Sequence, residues 1–371
     1  MGGAEMMVYL DNAATSLCKP PAVRRAVSNA LLYCANPGRG GYPAAMAAAE
    51  TVFRCRETAA KFFHASVEQV VFTSNCTHGL NIAIRTLVKP GTRVLISCFE
   101  HNAVTRPLHA LGAQLIFAGD RLFDWERMLE QFEDGLKKGV DAAVFTHVSN
   151  VFGYILPVDE MAFLCRKYSV PFVVDAAQSA GVLPVDMTRW NADFIAVPGH
   201  KGLLGPQGTG ILLCGRMPDP LLYGGTGSLS LEQQMPPFLP DRLEAGTVNV
   251  PGIAGLDAGM RHVRQIGLDR IARREQRQVA RCAEGLRKYG FTVFSGAQQC
   301  GVLSFVPPMD CQDAADFLAK NAISVRAGLH CAPLAHQTAG TLETGTVRIS
   351  FGHDASDYQT TFFLQKIHAL S

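Results

Sequence analysis

Apolar and polar positions along this chain follow two periods. From about residue 20 to 215, short apolar or β-branched runs recur between longer stretches whose apolar positions keep helical spacing. The runs fall at 70–73, 93–98, 114–118, 142–147, 171–175, 193–197 and 210–214. Several, such as VLISC, AAVFTH and PFVVDAA, are apolar almost throughout, which suits strands buried on both faces of a largely parallel sheet with helices on either side. The expected class is α/β. Residues 216–255 form a Gly/Pro-rich stretch with weak periodicity, too long for an ordinary connection. Beyond it, 256–289 reads as one long helical region, FTVFS and GVLSFV as strands, DCQDAADFLAKNA as a helix and TVRISFG as a strand. That tail has the pattern of a second, smaller α+β unit.

Composition narrows the class of partner. The 371 residues are 48% hydrophobic and 18% charged, a balance that excludes fibrous and disordered chains and permits a large core. A formal net charge of +2 without runs of like charge gives no footprint for nucleic acid or an anionic membrane. The 11 cysteines include no Cys-x-x-Cys pair and no Cys/His cluster at zinc spacing, so neither a disulfide framework nor a metal site is expected. No leader pattern and no apolar run of about 18 residues occur. The expectation is a reduced, cytoplasmic protein with small-molecule or protein partners.

Open parallel sheets bind ligands beyond the carboxyl ends of their strands. In PFVVDAAQSAG, Asp175 closes an apolar run and Gln178 follows it; in VPGHKGLLGPQGTG, His200 and Lys201 lie between glycines after the next run. Taken singly, Asp175 reads as a helix cap and Lys201 as a loop lysine. Together they form the pair that pyridoxal phosphate requires: a lysine for imine formation and a carboxylate to keep the pyridinium nitrogen protonated. FTSNCTHGLN adds a strand, a small polar turn and a helix start, a place for a phosphate with the Thr77 hydroxyl beside it.

With those residues in view, the chain resembles the class V aminotransferase family of pyridoxal 5'-phosphate enzymes, and within it the cysteine desulfurase and selenocysteine lyase group, nearest to the short-loop second group of desulfurases. The motifs carrying the resemblance, in order, are YLDNAAT, NPGRGG, TSNCTHGLN, EHNAV, HVSNVFG, VDAAQS, GHKGLLGPQGTG, EAGTVN, RAGLHCAP and VRIS. The resemblance implies fold type I, with a large domain at 16–257 built on a mostly parallel seven-stranded sheet. Residues 1–15 and 258–371 would form a small α+β domain. It further implies a homodimer, L-cysteine or L-selenocysteine as substrate, and a sulfur-acceptor protein. Lys201 would bind the cofactor and move the α-proton, with His101 stacked on the ring. Asp175 would meet the ring nitrogen, Gln178 the ring oxygen, and Asn150 the ring oxygen or the substrate. Thr77, Cys76 and His200 would line the phosphate side, joined by Thr247 from the other subunit. Arg348, helped by Arg326, Asn150 and Ala13, would hold the substrate. Cys331 would take the sulfur as a persulfide, with Arg326 and His330 nearby to favour its thiolate.

Three departures mark a divergent branch: Pro198 stands where a serine is common, Tyr42 where a histidine is common, and VRISFGHDASDYQ lacks the usual asparagine-threonine continuation. Alternatives stay open at this point. They are a selenocysteine lyase, an aminotransferase or β-lyase in which Cys331 is incidental, and a non-catalytic scaffold that keeps the fold.

Overall fold

The computed structural model describes residues 7–38 and 40–371; residues 1–6, and Arg39 of NPGRGG, lie outside it. Its strands are β1 (Val8–Tyr9), β2 (Val70–Thr73), β3 (Arg93–Ser97), β4 (Gln114–Ala118), β5 (Ala142–Thr146), β6 (Phe172–Asp175), β7 (Phe194–Pro198), β8 (Gly210–Cys214), β9 (Thr292–Phe294), β10 (Val302–Val306), β11 (Ile323–Ser324), β12 (Arg326–Gly328) and β13 (Thr346–Ser350). Seven of them form one sheet in the order β2-β8-β7-β6-β5-β3-β4. All run parallel except β8, which is antiparallel to both of its neighbours.

Alternation along the strands builds two cores. Leu95, Phe145, Val174, Ile195 and Leu213 pack on one face, with Phe132 and Met161 from the helices Trp125–Lys137 and Val158–Tyr168. Val94, Val144, Val173, Phe194 and Leu212 pack on the other, with Leu80 and Val104 from the helices Cys76–Leu87 and Asn102–Ala110. Successive side chains point to opposite faces, so strands apolar at every position must sit between two helix layers.

The C-terminal part forms an antiparallel sheet ordered β12-β13-β10-β9, packed on the helices Leu268–Lys288, Cys311–Lys320 and Asp357–Ile367. The amino-terminal segment returns to this sheet. β1 pairs with β11, Val8 and Leu10 join its core, and Asp11 bridges to Ser350.

The long helix expected from 256 differs in two ways. It starts at Val250, where the Asn249 side chain accepts from the Gly252 N–H (3.0 Å) and Pro251 occupies a first-turn position that needs no hydrogen bond. It also breaks at Gly267, whose φ of +88° separates Val250–Ile266 from Leu268–Lys288. Among the described residues no helix is long and apolar enough to cross a membrane.

Candidate active site

Parallel β5, β6 and β7 end together, with Thr146 beside Asp175 and Asp175 beside Ala196. Asp175 is 2% exposed, and both hydrogen bonds that reach its carboxylate, from Ala177 N–H (2.9 Å) and the Cys76 thiol (3.4 Å), fall on Oδ1. Lys201 lies three residues beyond β7. Burial lowers its ammonium pKa, the charges of Asp175 and Cys76 oppose that shift, and Arg348 and Arg326 add to it. Lys201 therefore sits within electrostatic reach of all four, and its amine loses its proton more readily than a lysine in water.

His101 caps the helix Asn102–Ala110, its Nδ1 accepting from Ala103 N–H (3.0 Å). That bond assigns the neutral ring's proton to Nε2. Burial lowers its pKa as well, while Asp175 pulls the other way.

The C-terminal unit brings Cys331 to the same place. The exposed Cys331 lies in a turn between β12 and the helix Pro333–Ala339, and its carbonyl accepts from Asn102 N–H (2.7 Å), the residue after His101. Asn150 Nδ2 donates to the neighbouring His330 carbonyl (2.7 Å), and the Asn150 carbonyl accepts from Arg348 Nη1 (3.0 Å). One expectation is corrected here. His330 is buried against Thr346, and burial followed by the Arg348 charge drives its pKa far below neutrality, so it offers Cys331 no positive charge. Arg326 is committed to Asp11 (3.0 Å).

Arg348 is 3% exposed and has five N–H donors. Asn150 takes one, Asp11 takes a second through Nη2 (2.8 Å), and the buried Nε has no partner. A planar guanidinium with open donors, one of them buried and orphaned, is matched to a carboxylate.

The remaining expected residues fall into two groups. His200 bonds through Nδ1 to Thr15 Oγ1 (3.1 Å), and burial, Lys201 and Lys19 bring its pKa down to about 4. Gln178 Nε2 donates to the Ala13 carbonyl (3.0 Å), while Ala13 N–H donates to Ser350 Oγ (2.8 Å). Thr77 is exposed on the first turn of the helix Cys76–Leu87. Thr247, also exposed, lies in a groove of about 250 Å³ shared with Thr73, Ser74 and His78.

Two residues of the quoted motifs carry structural weight to which no role attached. Asp11, the charge inside the apolar start of YLDNAAT, bridges Arg326 and Arg348. Glu100, directly before His101, is fully buried, and its Oε1 accepts from Ser97 Oγ and Thr146 N–H. A carboxylate in an apolar run is the available signal, and the position of its partner is not.

A family model described as aminotransferase class-V matches residues 8–360. A protein of Pyrococcus abyssi named a probable cysteine desulfurase is 34% identical over 366 residues, covering 93% of this chain and 89% of its own length. One of Methanothermobacter thermautotrophicus with the same name is 33% identical, covering 92% of this chain and 89% of its own. Among solved structures, the apo cysteine desulfurase of Thermococcus onnurineus superposes with a TM-score of 0.91 at 34% identity, over 98% of this chain and 94% of that one. The cysteine desulfurase CsdA of Escherichia coli gives 0.86 at 25%, over the same shares.

Proposed function

Because the chain belongs to the aminotransferase class-V family, we propose that it is a pyridoxal 5'-phosphate-dependent cysteine desulfurase, converting L-cysteine to L-alanine and holding the sulfur as a Cys331 persulfide. The reading is supported by the contacts that tie its residues together: the Cys331 carbonyl accepts from Asn102 beside His101, Asn150 joins the His330 carbonyl to Arg348, and the charge of Arg348 acts on Lys201. The names of the relatives support it.

The residues fit the cofactor. Asp175 keeps Oδ2 clear for a protonated ring nitrogen, Lys201 is a desolvated amine beside it, and His101 presents its ring from the turn after β3. Gln178 and Asn150 would face the ring oxygen, with Thr77, Cys76 and His200 toward the phosphate and Thr247 arriving from a second subunit. Bound there, the cofactor supplies an electron sink for negative charge at the substrate α-carbon.

The chain's own groups do the rest. Arg348 binds the α-carboxylate through its open N–H groups, supported by Arg326, Asn150 and the Ala13 backbone, and so fixes which bond faces Lys201. Lys201 removes the proton at Cα, and His101 Nε2 holds or returns a proton beside it. The Cys331 thiolate attacks the substrate sulfur; the S–S bond forms as the Cβ–S bond breaks, and the carbon skeleton takes up the proton as alanine. L-Cysteine plus thiol thereby gives L-alanine plus persulfide with no outside oxidant. An acceptor protein or a reductant then removes the sulfur. We also infer two domains, 16–257 and 1–15 with 258–371, in a cytoplasmic homodimer.

The test is alanine release by wild type and Cys331→Ala given L-cysteine or L-selenocysteine with a reductant present. Loss of at least ~100-fold in the variant with L-cysteine is expected, as for removal of a nucleophile. Alanine from L-selenocysteine alone, surviving the substitution, would replace this reading with a selenocysteine lyase. Pyruvate or another keto acid would replace it with a β-lyase or aminotransferase, and a wild type releasing neither would leave the scaffold.

A further inference from the structure

The carbonyl of His200, the residue before Lys201, is crowded with donors from the amino-terminal segment. Ser16 N–H (3.1 Å), Ser16 Oγ (3.1 Å), Lys19 Nζ (2.9 Å) and Thr15 Oγ1 (3.2 Å) all lie within hydrogen-bond reach of its oxygen. Lys19 Nζ also donates to Ser16 Oγ (2.5 Å). Thr15 is itself held in place, its carbonyl accepting from the Tyr9 hydroxyl (2.9 Å) and its N–H donating to the Asp11 carbonyl (3.4 Å). Its hydroxyl faces a second acceptor, His200 Nδ1, at 3.1 Å.

A carbonyl oxygen has two lone pairs. The Lys19 ammonium, which is charged, and the Ser16 N–H, which the backbone fixes, fill them, so the single Thr15 hydroxyl proton is surplus at that oxygen. Nδ1 is the other acceptor in its reach. A neutral imidazole that accepts at Nδ1 carries its proton on Nε2. The ring is neutral near physiological pH, because burial, Lys201 and Lys19 bring its pKa down to about 4. In the opposite arrangement Thr15 would donate to the carbonyl and accept from Nδ1–H, which leaves a bare lone pair on Nε2. That nitrogen has no hydrogen-bond partner among the described residues. A lone pair there repels a phosphate oxygen, whereas an N–H donates to it.

We propose that Thr15 is a positioning residue for the cofactor phosphate: with Ser16 and Lys19 on the His200 carbonyl, the Thr15 hydroxyl donates to Nδ1, fixes the ring and keeps its proton on Nε2 for a phosphate oxygen. The inference rests on the cofactor-binding part of the proposed function. It adds that the state of His200 is set from the amino-terminal segment.

The experiment uses the full-length protein labelled with 15N-histidine, before and after loading with pyridoxal 5'-phosphate. Two-bond 1H–15N correlation spectra distinguish the tautomers, and the His200 signals are those missing from His200→Gln. In wild type the proton should be on Nε2; a proton on Nδ1 overturns the proposal. Cofactor dissociation is then measured by absorbance titration. Thr15→Val keeps the shape and removes the hydroxyl, and should raise the dissociation constant about fivefold, the scale of one neutral hydrogen bond. Thr15→Ser should restore it. In a His200→Gln background the same Thr15→Val should add less than about twofold, since the residue through which it acts is gone. A purely structural Thr15 would cost the same in both backgrounds. An unchanged constant in Thr15→Val, a Thr15→Ser that does not restore it, or an equal loss in both backgrounds overturns the proposal. Should Thr15→Val fail to fold, the wild-type tautomer decides. Wild type that binds no pyridoxal 5'-phosphate overturns the proposed function and this inference with it; wild type that binds it while Nδ1 holds the proton overturns this inference alone.

Discussion

Glu100 is a fully buried acid one residue from His101, with Oε2 lacking any partner. Burial raises its carboxyl pKa to about 8, against the opposing hydrogen bonds from Ser97 and Thr146. A folded-state pKa above the unfolded one means that the native protein holds a proton which the unfolded chain has released. The resulting stability is complete below the unfolded carboxylate pKa of 4.5 and is lost as pH rises to about 8. Glu100→Gln keeps the accepting oxygen and removes the titration. Melting temperatures at pH 6 and pH 9 should show the variant falling less than wild type between the two, and a parallel fall would reject a titrating Glu100. The placement of Asp175 and Lys201 just after neighbouring strands was readable in the sequence because strand ends fix where such residues emerge. The roles of Asp11 and Glu100 were not. Asp11 meets Arg326 and Arg348 across 315 and 337 residues, and no local pattern encodes that meeting.

Elements were legible where one period dominated, and the seven runs became the strands of the large sheet to within a residue or two at each end. The helix start at Val250 was hidden because the glycines and prolines around it read as loop, although Pro at a first turn and Asn as cap favour a helix there. Also invisible was how closely two loops approach behind Lys201. Gly181, at φ +89°, has no room for a side chain, because a Cβ would lie 2.3 Å from the Gly202 carbonyl carbon and oxygen. A Cβ on Gly202 would meet the Ala180 carbonyl oxygen at 2.4 Å. The segment after β6 and the Lys201 loop are thus pressed backbone to backbone, and the lysine takes its position from that contact. Gly181→Ala pays both the left-handed strain and the clash, so it should lower the melting temperature by several degrees, on the order of 2 kcal/mol or more. It should also cut alanine release at least about tenfold by moving Lys201. Normal activity in a folded Gly181→Ala protein would separate Lys201 from this contact.

At the scale of the molecule, the proposed homodimer has a surface suited to it. Tyr42, Met46 and Phe53 are 54%, 58% and 54% exposed, at spacings of four and seven residues that put them on one face of the helix Pro43–Phe62 and its cap. Tyr42 also lines a groove of about 600 Å³ with Thr226, Asp241 and Thr247, which joins the apolar stripe to the irregular segment after β8. An apolar stripe of this kind costs solubility unless something covers it. A two-fold partner would cover it while bringing its Thr247 toward the phosphate side of this chain. In such an isologous interface each residue would count twice, so Met46 and Phe53, at about 1.5–3 kcal/mol per buried side chain, would supply a large share of the association energy. Met46→Glu with Phe53→Glu changes only exposed positions, which leaves the monomer's core intact. Sedimentation should find wild type at twice the chain mass and the double variant at the chain mass, with the cofactor lost several-fold more readily because Thr247 no longer arrives. A double variant that stays dimeric puts the interface elsewhere. A monomeric variant that retains its cofactor and still releases alanine would mean that each chain completes its own site.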